Sequence, residues 1–234
     1  DYHRIAYIKN AQISWKTGDL TLTGGLISTT QFNMQEKFWG YRYIMKSFQD
    51  LYKFGNSADL GISASYKFNE YFTADAIVVN GEGYKKIQKN DGLMYGLGAT
   101  LTPIKGLSMR IYYGLNEASD EGSENIQNMA TFIGYKGNGF SLGAEYNHIW
   151  NAKYYKGNDF DGFSFYGNVK LNEKTDMYLR YDECTNVDYS AFIAGLQCKL
   201  GKYVKIAPNF RMSIPRVDNL ENRYMAYVSC YFGF

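Results

Sequence analysis

Histidine, cysteine and proline are scarce in this 234-residue chain, at two, three and three residues. Cys184, Cys198 and Cys230 give an odd count with no CxxC spacing. Only His3 and His148 could add imidazole ligands, which argues against a disulfide framework or a zinc site. No stretch approaches the ~18 consecutive apolar residues that a membrane helix needs, so these residues do not cross a bilayer as a helix. An excess of one charge is lacking too: 25 Lys and Arg face 23 Asp and Glu, a net +2 that gives no case for a nucleic-acid partner. There is no GxSxG elbow, P-loop or HExxH, and neither histidine neighbours a serine or cysteine signature. The expectation is therefore no enzyme, no cofactor and no metal.

Aromatic residues are abundant: 23 Tyr, 15 Phe and 3 Trp make 18% of the chain, beside 24 Gly. They sit in segments that alternate strictly. In 60–68 one face carries Leu60, Ile62, Ala64, Tyr66 and Phe68, and the other Gly61, Ser63, Ser65 and Lys67. Successive strand side chains point to opposite faces, so this reads as a strand with one apolar and one polar side. Segments 107–116, 163–171, 192–200 and 204–212 repeat the pattern, and 20–28, 71–80, 93–102, 126–136, 140–150 and 176–184 carry it more weakly. Segment 4–16 mixes Lys9 into its apolar face, and 223–234 ends the chain. The sum is about 13 strands of roughly 9–12 residues.

The connections alternate in length. Asn69-Glu70, Pro103-Ile104-Lys105, Gly137-Asn138-Gly139, Asn172-Glu173-Lys174 and Gly201-Lys202 read as tight turns. Between them lie longer loops at 29–58, 81–91, 117–125, 151–160, 185–188 and 214–222. Short turns on one rim and long loops on the other are the pattern of a transmembrane antiparallel up-and-down β-barrel. The fold class is thus all-β, with about 12–16 strands, in one domain over residues 1–234. A soluble sandwich also alternates, but its outward face would be rich in charge; here the polar face is Ser, Gly, Asn and Tyr with a single charge per strand, which suits a wet lumen. Aromatic pairs near strand ends, such as Tyr66/Phe68, Tyr71/Phe72 and Tyr146/Trp150, suit interfacial girdles.

The last residues, Tyr227-Val228-Ser229-Cys230-Tyr231-Phe232-Gly233-Phe234, place Phe232 and Phe234 on one face. This resembles the C-terminal strand of bacterial outer-membrane barrels. A second run starts at Gly25-Leu26-Ile27, passes through Glu36, Gly40, Arg42, Ile44, Lys46, Ser47 and Asp50, and continues with Ser57-Ala58-Asp59-Leu60-Gly61 and Asn80-Gly81-Glu82-Gly83. Over residues ~5–90 it resembles porins of the phosphate-selective group. That resemblance implies the bacterial outer membrane as location, lipid and small anionic or polar solutes as partners, and a homotrimer or a hetero-complex as assembly. Such porins have about sixteen strands. Counting back from a periplasmic C-terminus starts strand 4–16 outside the cell, which implies at least one strand before Asp1.

In the polar register the inward charges are Arg4, Lys67, Arg110, Lys136, Lys170, Arg180, Lys199, Lys205 and Arg211, against Asp75, Glu145, Asp176 and Asp182. Nine basic residues against four acidic ones cannot all pair, and a basic lining attracts anions. The expectation is that Arg110, Lys170, Arg180, Lys205 and Arg211 project into lumen water. Loop 29–58 is too long for a plain connection. Phe38, Arg42 and Ile44/Met45 have helix-like spacing, so the loop reads as a constriction carrying Lys37, Arg42, Lys46 and Lys53, or as a lid. The acidic loop Asp120–Glu124 reads as solvated. Together these features predict a passive diffusion channel for small hydrophilic solutes with weak anion preference. The alternative is a non-conducting structural barrel within an outer-membrane complex. Specific phosphate binding would need several cations converging on one point, which spacing alone does not show.

Overall fold

In the computed structural model, which describes residues 7–88, 91–217 and 219–233, alternation has become a single antiparallel sheet. Its strands are β1 (Ala11–Thr17), β2 (Leu20–Ser28), β3 (Ala58–Lys67), β4 (Phe72–Val79), β5 (Met94–Leu101), β6 (Leu107–Asn116) and β7 (Ile126–Lys136). There follow β8 (Phe140–Trp150), β9 (Phe160–Lys170), β10 (Thr175–Cys184), β11 (Tyr189–Lys199), β12 (Val204–Pro215) and β13 (Arg223–Phe232). Each of these 13 strands pairs with its neighbours in sequence, in up-and-down order. Among the described residues β1 and β13 pair on one side only. Segment 4–16 departs from expectation: the strand occupies only Ala11–Thr17, with residues 7–10 outside it and residues 1–6, Arg4 and His3 among them, beyond the described part. Phe234 also lies beyond it.

The faces follow the period of two. Ile13, Ile62, Leu97, Leu142 and Val228 are between 55% and 82% exposed on the outer face. So broad an apolar surface has no use in water and belongs against lipid. Outer aromatics gather at both ends of the strands, with Tyr66, Phe68, Tyr135 and Phe140 near the short turns and Tyr95, Tyr113 and Tyr146 nearer the long loops. His148 is an outward residue too, its ring packed edge-on to Trp150 at 4.3 Å.

Two motifs of the N-terminal third turn out to be partners. Asp59 at the start of β3 accepts hydrogen bonds from the backbone N–H groups of Gly81 (2.8 Å) and Gly83 (3.0 Å). Gly81 and Gly83 have φ of +92° and +85°, a conformation that side chains resist, which is why the Asn80–Gly83 loop is glycine-rich.

The helical pattern in the long loop is shorter than its apolar spacing suggests. α1 (Asn33–Trp39) stops at Gly40, whose φ of +74° makes a left-handed cap and whose N–H returns to the Glu36 carbonyl. Arg42, Ile44 and Met45 therefore lie beyond the helix, and α2 (Phe48–Tyr52) follows. Both helices lie against the inner face. Phe38, Trp39, Tyr41 and Ile44 pack on Phe132 of β7, Tyr166 of β9, Tyr178 of β10, Ile193 of β11 and Ala207 of β12. Phe48, Tyr52 and Phe54 form a second cluster with Ile149 and Phe160. Gly134 of β7 makes room: a Cβ there would stand 2.5 Å from the Phe38 ring.

Candidate functional site

The inner face divides into a part covered by the inward segment and a more open part. Over β6–β12 the inward segment, residues 29–57, is fastened through polar groups as well as aromatic rings. Three arginines from three strands each donate to one of its backbone carbonyls: Arg110 to Thr30 (2.8 Å), Arg180 to Lys46 (2.6 Å) and Arg211 to Ile44 (2.9 Å). Tyr166 donates to the Gln35 carbonyl and Tyr43 to Gln197 Oε1 at 2.9 Å. Gln49 donates to Glu145 Oε2 at 3.2 Å. Burial, and next the charge of Asp176, push the Tyr43 phenol up to about 12.

These contacts correct the expectation that Arg110 and Arg180 project into lumen water. Arg110 is held bidentately by Asp75 at 2.7 and 2.9 Å, and Arg180 by Asp182 at 2.7 Å from two nitrogens. Both guanidinium groups are buried, and Arg180 lies over the Trp39 ring. A planar fork that finds one carboxylate and one carbonyl satisfies most of its donors without water. Arg211 has no carboxylate partner among the described residues; it stacks on Tyr227 with 4.4 Å to the ring centre and donates to Asn209. Of the inward lysines, Lys199 meets Asp176 at 3.5 Å, and Lys67 stands exposed at the turn-side end of β3.

Two of the segment's own cations are also compensated. Arg42 bridges Glu36 at 2.5 Å and Asp50 at 2.7 Å, and Lys46 reaches Asp50 at 3.4 Å. Burial opposes the charge of Asp50, but the hydrogen bond and charge of Arg42, with help from Lys46, outweigh it and hold the carboxyl below its ordinary value. Lys9 is near this cluster; burial, then the charge of Arg42, lower its pKa. The expected positive constriction at Arg42 and Lys46 is thus a mixed-charge cluster.

Four further cations share one cavity. Lys37 of α1 meets Lys136 of β7, Lys170 of β9 and Lys205 of β12 around one cavity of about 380 Å³ at the short-turn rim. Gln197, Asn168 and Ser141 complete its polar lining. Lys136 is fixed by donating to the Lys37 carbonyl at 3.1 Å, its ammonium 4.5 Å from the Phe38 ring centre. At the long-loop rim lies a larger cavity of about 1090 Å³, with Lys53 on its wall.

The more open part is the short-turn end of β1–β4. There Ser14 is exposed and Thr21, Thr23, Ser63, Ser65 and Thr73 are half-buried on the inner face, with Ser14 and Thr23 hydroxyls 3.0 Å apart, whereas Ile27, Ile77 and Val79 nearer the long loops are buried in an apolar cluster with Met94, Tyr112 and Ala130. Sequence spacing exposed the inward register of these residues. It gave no signal for the carbonyl acceptors Thr30, Ile44 and Lys46, or for Asp59 as the partner of a distant glycine loop.

No family model and no curated protein matches the sequence. Solved structures do. Outer-membrane expressed OmpT of Vibrio cholerae has a TM-score of 0.64 at 14% identity, over 97% of this chain and 81% of that one. Its loop L8 deletion mutant gives 0.67 at 15% identity, over 97% and 80%. A triple mutant of Rhodopseudomonas blastica porin gives 0.62 at 16% identity, over 95% and 76%. The fold is that of a bacterial outer-membrane barrel. Within that barrel the covered part, the more open short-turn end of β1–β4 and the two rim cavities are the candidate site.

Proposed function

We propose that this barrel is a porin of the bacterial outer membrane, a passive channel for small hydrophilic solutes with weak anion preference, and not an enzyme. The observation that carries the reading is the uneven cover of the inner face. At the short-turn end of β1–β4 it carries small hydroxyl side chains that are exposed or half-buried, while the apolar and aromatic mass of residues 29–57 leans on β7–β12. A wall of Ser and Thr offers hydrogen bonds to permeating solutes without binding them tightly. Residues 29–57 act as the constriction. Anion preference is assigned to Lys37, Lys136, Lys170 and Lys205, which line a cavity without a carboxylate among its described residues. The motifs over residues ~5–90 support a place near the phosphate-selective porins. Porin neighbours among solved structures support transport over catalysis. Solutes pass, and lipid surrounds the barrel, as a trimer or within a larger assembly.

Planar-bilayer recording tests the reading: stepwise conductance is expected, with a reversal potential displaced toward the anion in a KCl gradient. The second reading, a non-conducting structural barrel, is favoured by the two aromatic clusters that the segment builds inside the sheet. Purified barrels that insert into the bilayer without any conductance would decide for it.

A further inference from the structure

The cavity of about 1090 Å³ at the long-loop rim has a floor and a mouth of different chemistry. Phe54, Met94, Ile149, Ala152 and Phe160 form the floor, each at most 8% exposed. Asn128 of β7 stands among them, 5% exposed, and its Oδ1 has no hydrogen-bond partner among the described residues. Gly114, its cross-strand neighbour on β6, leaves the amide its space: a Cβ there would stand 3.0 Å from both Oδ1 and Nδ2. A buried acceptor without a donor is costly unless water or a ligand supplies one. The mouth is polar and mixed in charge. Asn56 and Asn186 are exposed there with Lys53, Lys86 and Lys153, beside Glu82, while Lys85 lies over the rings of Tyr7 and Tyr84. One wall is held in shape by its own loop. Asn151, Lys153 and Tyr154 adopt φ of +53°, +58° and +65°, which residues other than glycine resist. The Asn151 side chain accepts from the Gly157 N–H at 3.0 Å and donates to the Asn125 carbonyl at 3.1 Å, and Asn158 donates to the Ala152 carbonyl at 2.7 Å. The cavity is therefore preformed, as ligand sites usually are.

The geometry points to a binding site for a neutral polyhydroxylated solute, a sugar of about two rings, at the outer mouth of the barrel. The inference rests on the porin reading only for where the solute goes next. Each amide on the lining offers a donor and an acceptor, and so does each sugar hydroxyl, so the two match without charge. A hydroxyl donating to Asn128 Oδ1 would satisfy the buried acceptor, and the C–H faces of a sugar ring suit the apolar floor and Tyr154 on the wall. A purely apolar solute would leave the amides unpaired. An ion would meet lysines and Glu82 together at the mouth and no charge on the floor. The volume is at the upper end of the roughly 300–1,000 Å³ usual for small-molecule sites, which leaves room for more than one ring. Long loops face the outside of the cell in such barrels, so the site meets an incoming solute before the inward segment does.

Calorimetric titration with maltose, cellobiose and sucrose tests this, on protein in an amine-oxide detergent whose headgroup carries no sugar. At least one disaccharide is expected to bind, and succinate about tenfold more weakly or less. Raising the KCl concentration about tenfold should leave the sugar affinity unchanged, because screening acts on charges and not on hydroxyl contacts. Asn128→Leu keeps the side-chain volume, removes the amide and should weaken the sugar by about tenfold, with the unfolding transition recorded beside it. If that variant does not fold, Asn56→Ala with Asn186→Ala, both at exposed lining positions, carries the same test and should weaken binding several-fold. No heat from any sugar would mean that the cavity holds water only, and would overturn the proposal. So would succinate binding as tightly as sugar, an affinity that falls with salt, or an unaltered affinity in the amide variants. A barrel that binds a disaccharide but passes no current would keep the site and remove the porin reading, and a conducting pore that binds none would do the reverse.

Discussion

Arg180 and Asp182 are two residues apart on β10 and so share its inner face, where they form a bidentate pair at 2.7 Å from both Nε and a terminal nitrogen. The third nitrogen of Arg180 donates to the Lys46 carbonyl, and Ser164 donates to the same Asp182 at 2.6 Å. One guanidinium thus joins the barrel wall to the inward segment. Asp182→Asn leaves Arg180 charged and buried with a neutral partner. Removing one member of a buried pair costs about 3–5 kcal/mol. The expected result is a lower unfolding temperature of the detergent-solubilised barrel, and Asp182→Asn together with Arg180→Met should recover much of the loss. Equal transitions for Asp182→Asn and wild type would show that the pair is solvated.

Gly134 tests the aromatic seat. An added Cβ would meet Phe132 at 2.4 Å and Phe38 at 2.5 Å, so even Gly134→Ala forces a ring to move. Overpacking of this kind costs about 1–3 kcal/mol. Because Phe38 belongs to the segment and Phe132 to the wall, the segment is the part expected to shift. Single-channel conductance of Gly134→Ala should differ from wild type, with a lower unfolding temperature. An unchanged conductance with unchanged stability would place Phe38 away from the wall.

Acid should loosen the segment from its own clamp. The Asp50 carboxyl titrates below its ordinary 3.8 because Arg42 and Lys46 outweigh the burial that opposes its charge. A depressed carboxyl pKa contributes stability that is fully present above the ordinary value and lost as pH falls through the lowered one. The seat should therefore be unchanged between pH 7 and 5 and weaken only below 3.8. Trp39, buried and hydrogen-bonded to the Met45 carbonyl at 2.8 Å, reports it by fluorescence in a Trp15→Phe, Trp150→Phe background. Asp50→Asn should already show the acid-like spectrum at pH 7. A wild-type signal that changes between pH 7 and 5 would assign the clamp to another group.

Much of the barrel was legible because alternation is a local property: the strands, the short and long rims and the inward register can all be read two residues at a time. The length of loop 29–58 pointed to a structure of its own, and Gly40 marked where its first helix had to stop. Pairing was not legible. Arg110 and Asp75 lie 35 residues apart and meet across β4–β6, and a count of nine bases against four acids could not say which of them were neutralised. Nor could a side-chain pattern reveal that Arg110, Arg180 and Arg211 would spend donors on backbone carbonyls. Convergence of four lysines depends on where α1 docks, which only the packing of Phe38 and Trp39 against β7–β10 decides.

Selectivity follows from this division of the cations. Arg110 is paired with Asp75, so its charge is cancelled locally and contributes little to the field along the pore. Arg110→Ala does more than remove a positive charge; it strips Asp75 of its partner and exposes an uncompensated carboxylate on the inner face. The reversal potential in a KCl gradient should therefore move toward cations about as far as the loss of one free lysine would move it, because either change removes one unit of positive charge. Adding Asp75→Ala removes that carboxylate and should return the potential close to wild type, because a neutral pair has been replaced by no charge at all. The triple replacement of Lys136, Lys170 and Lys205 by Gln should shift selectivity without any such compensation, since those ammonium groups have no carboxylate among the described residues. If Arg110→Ala leaves the potential unchanged while the lysine variant also does nothing, the inner-face charges do not set permeation, and the anion preference would have to come from the loops at the wide rim.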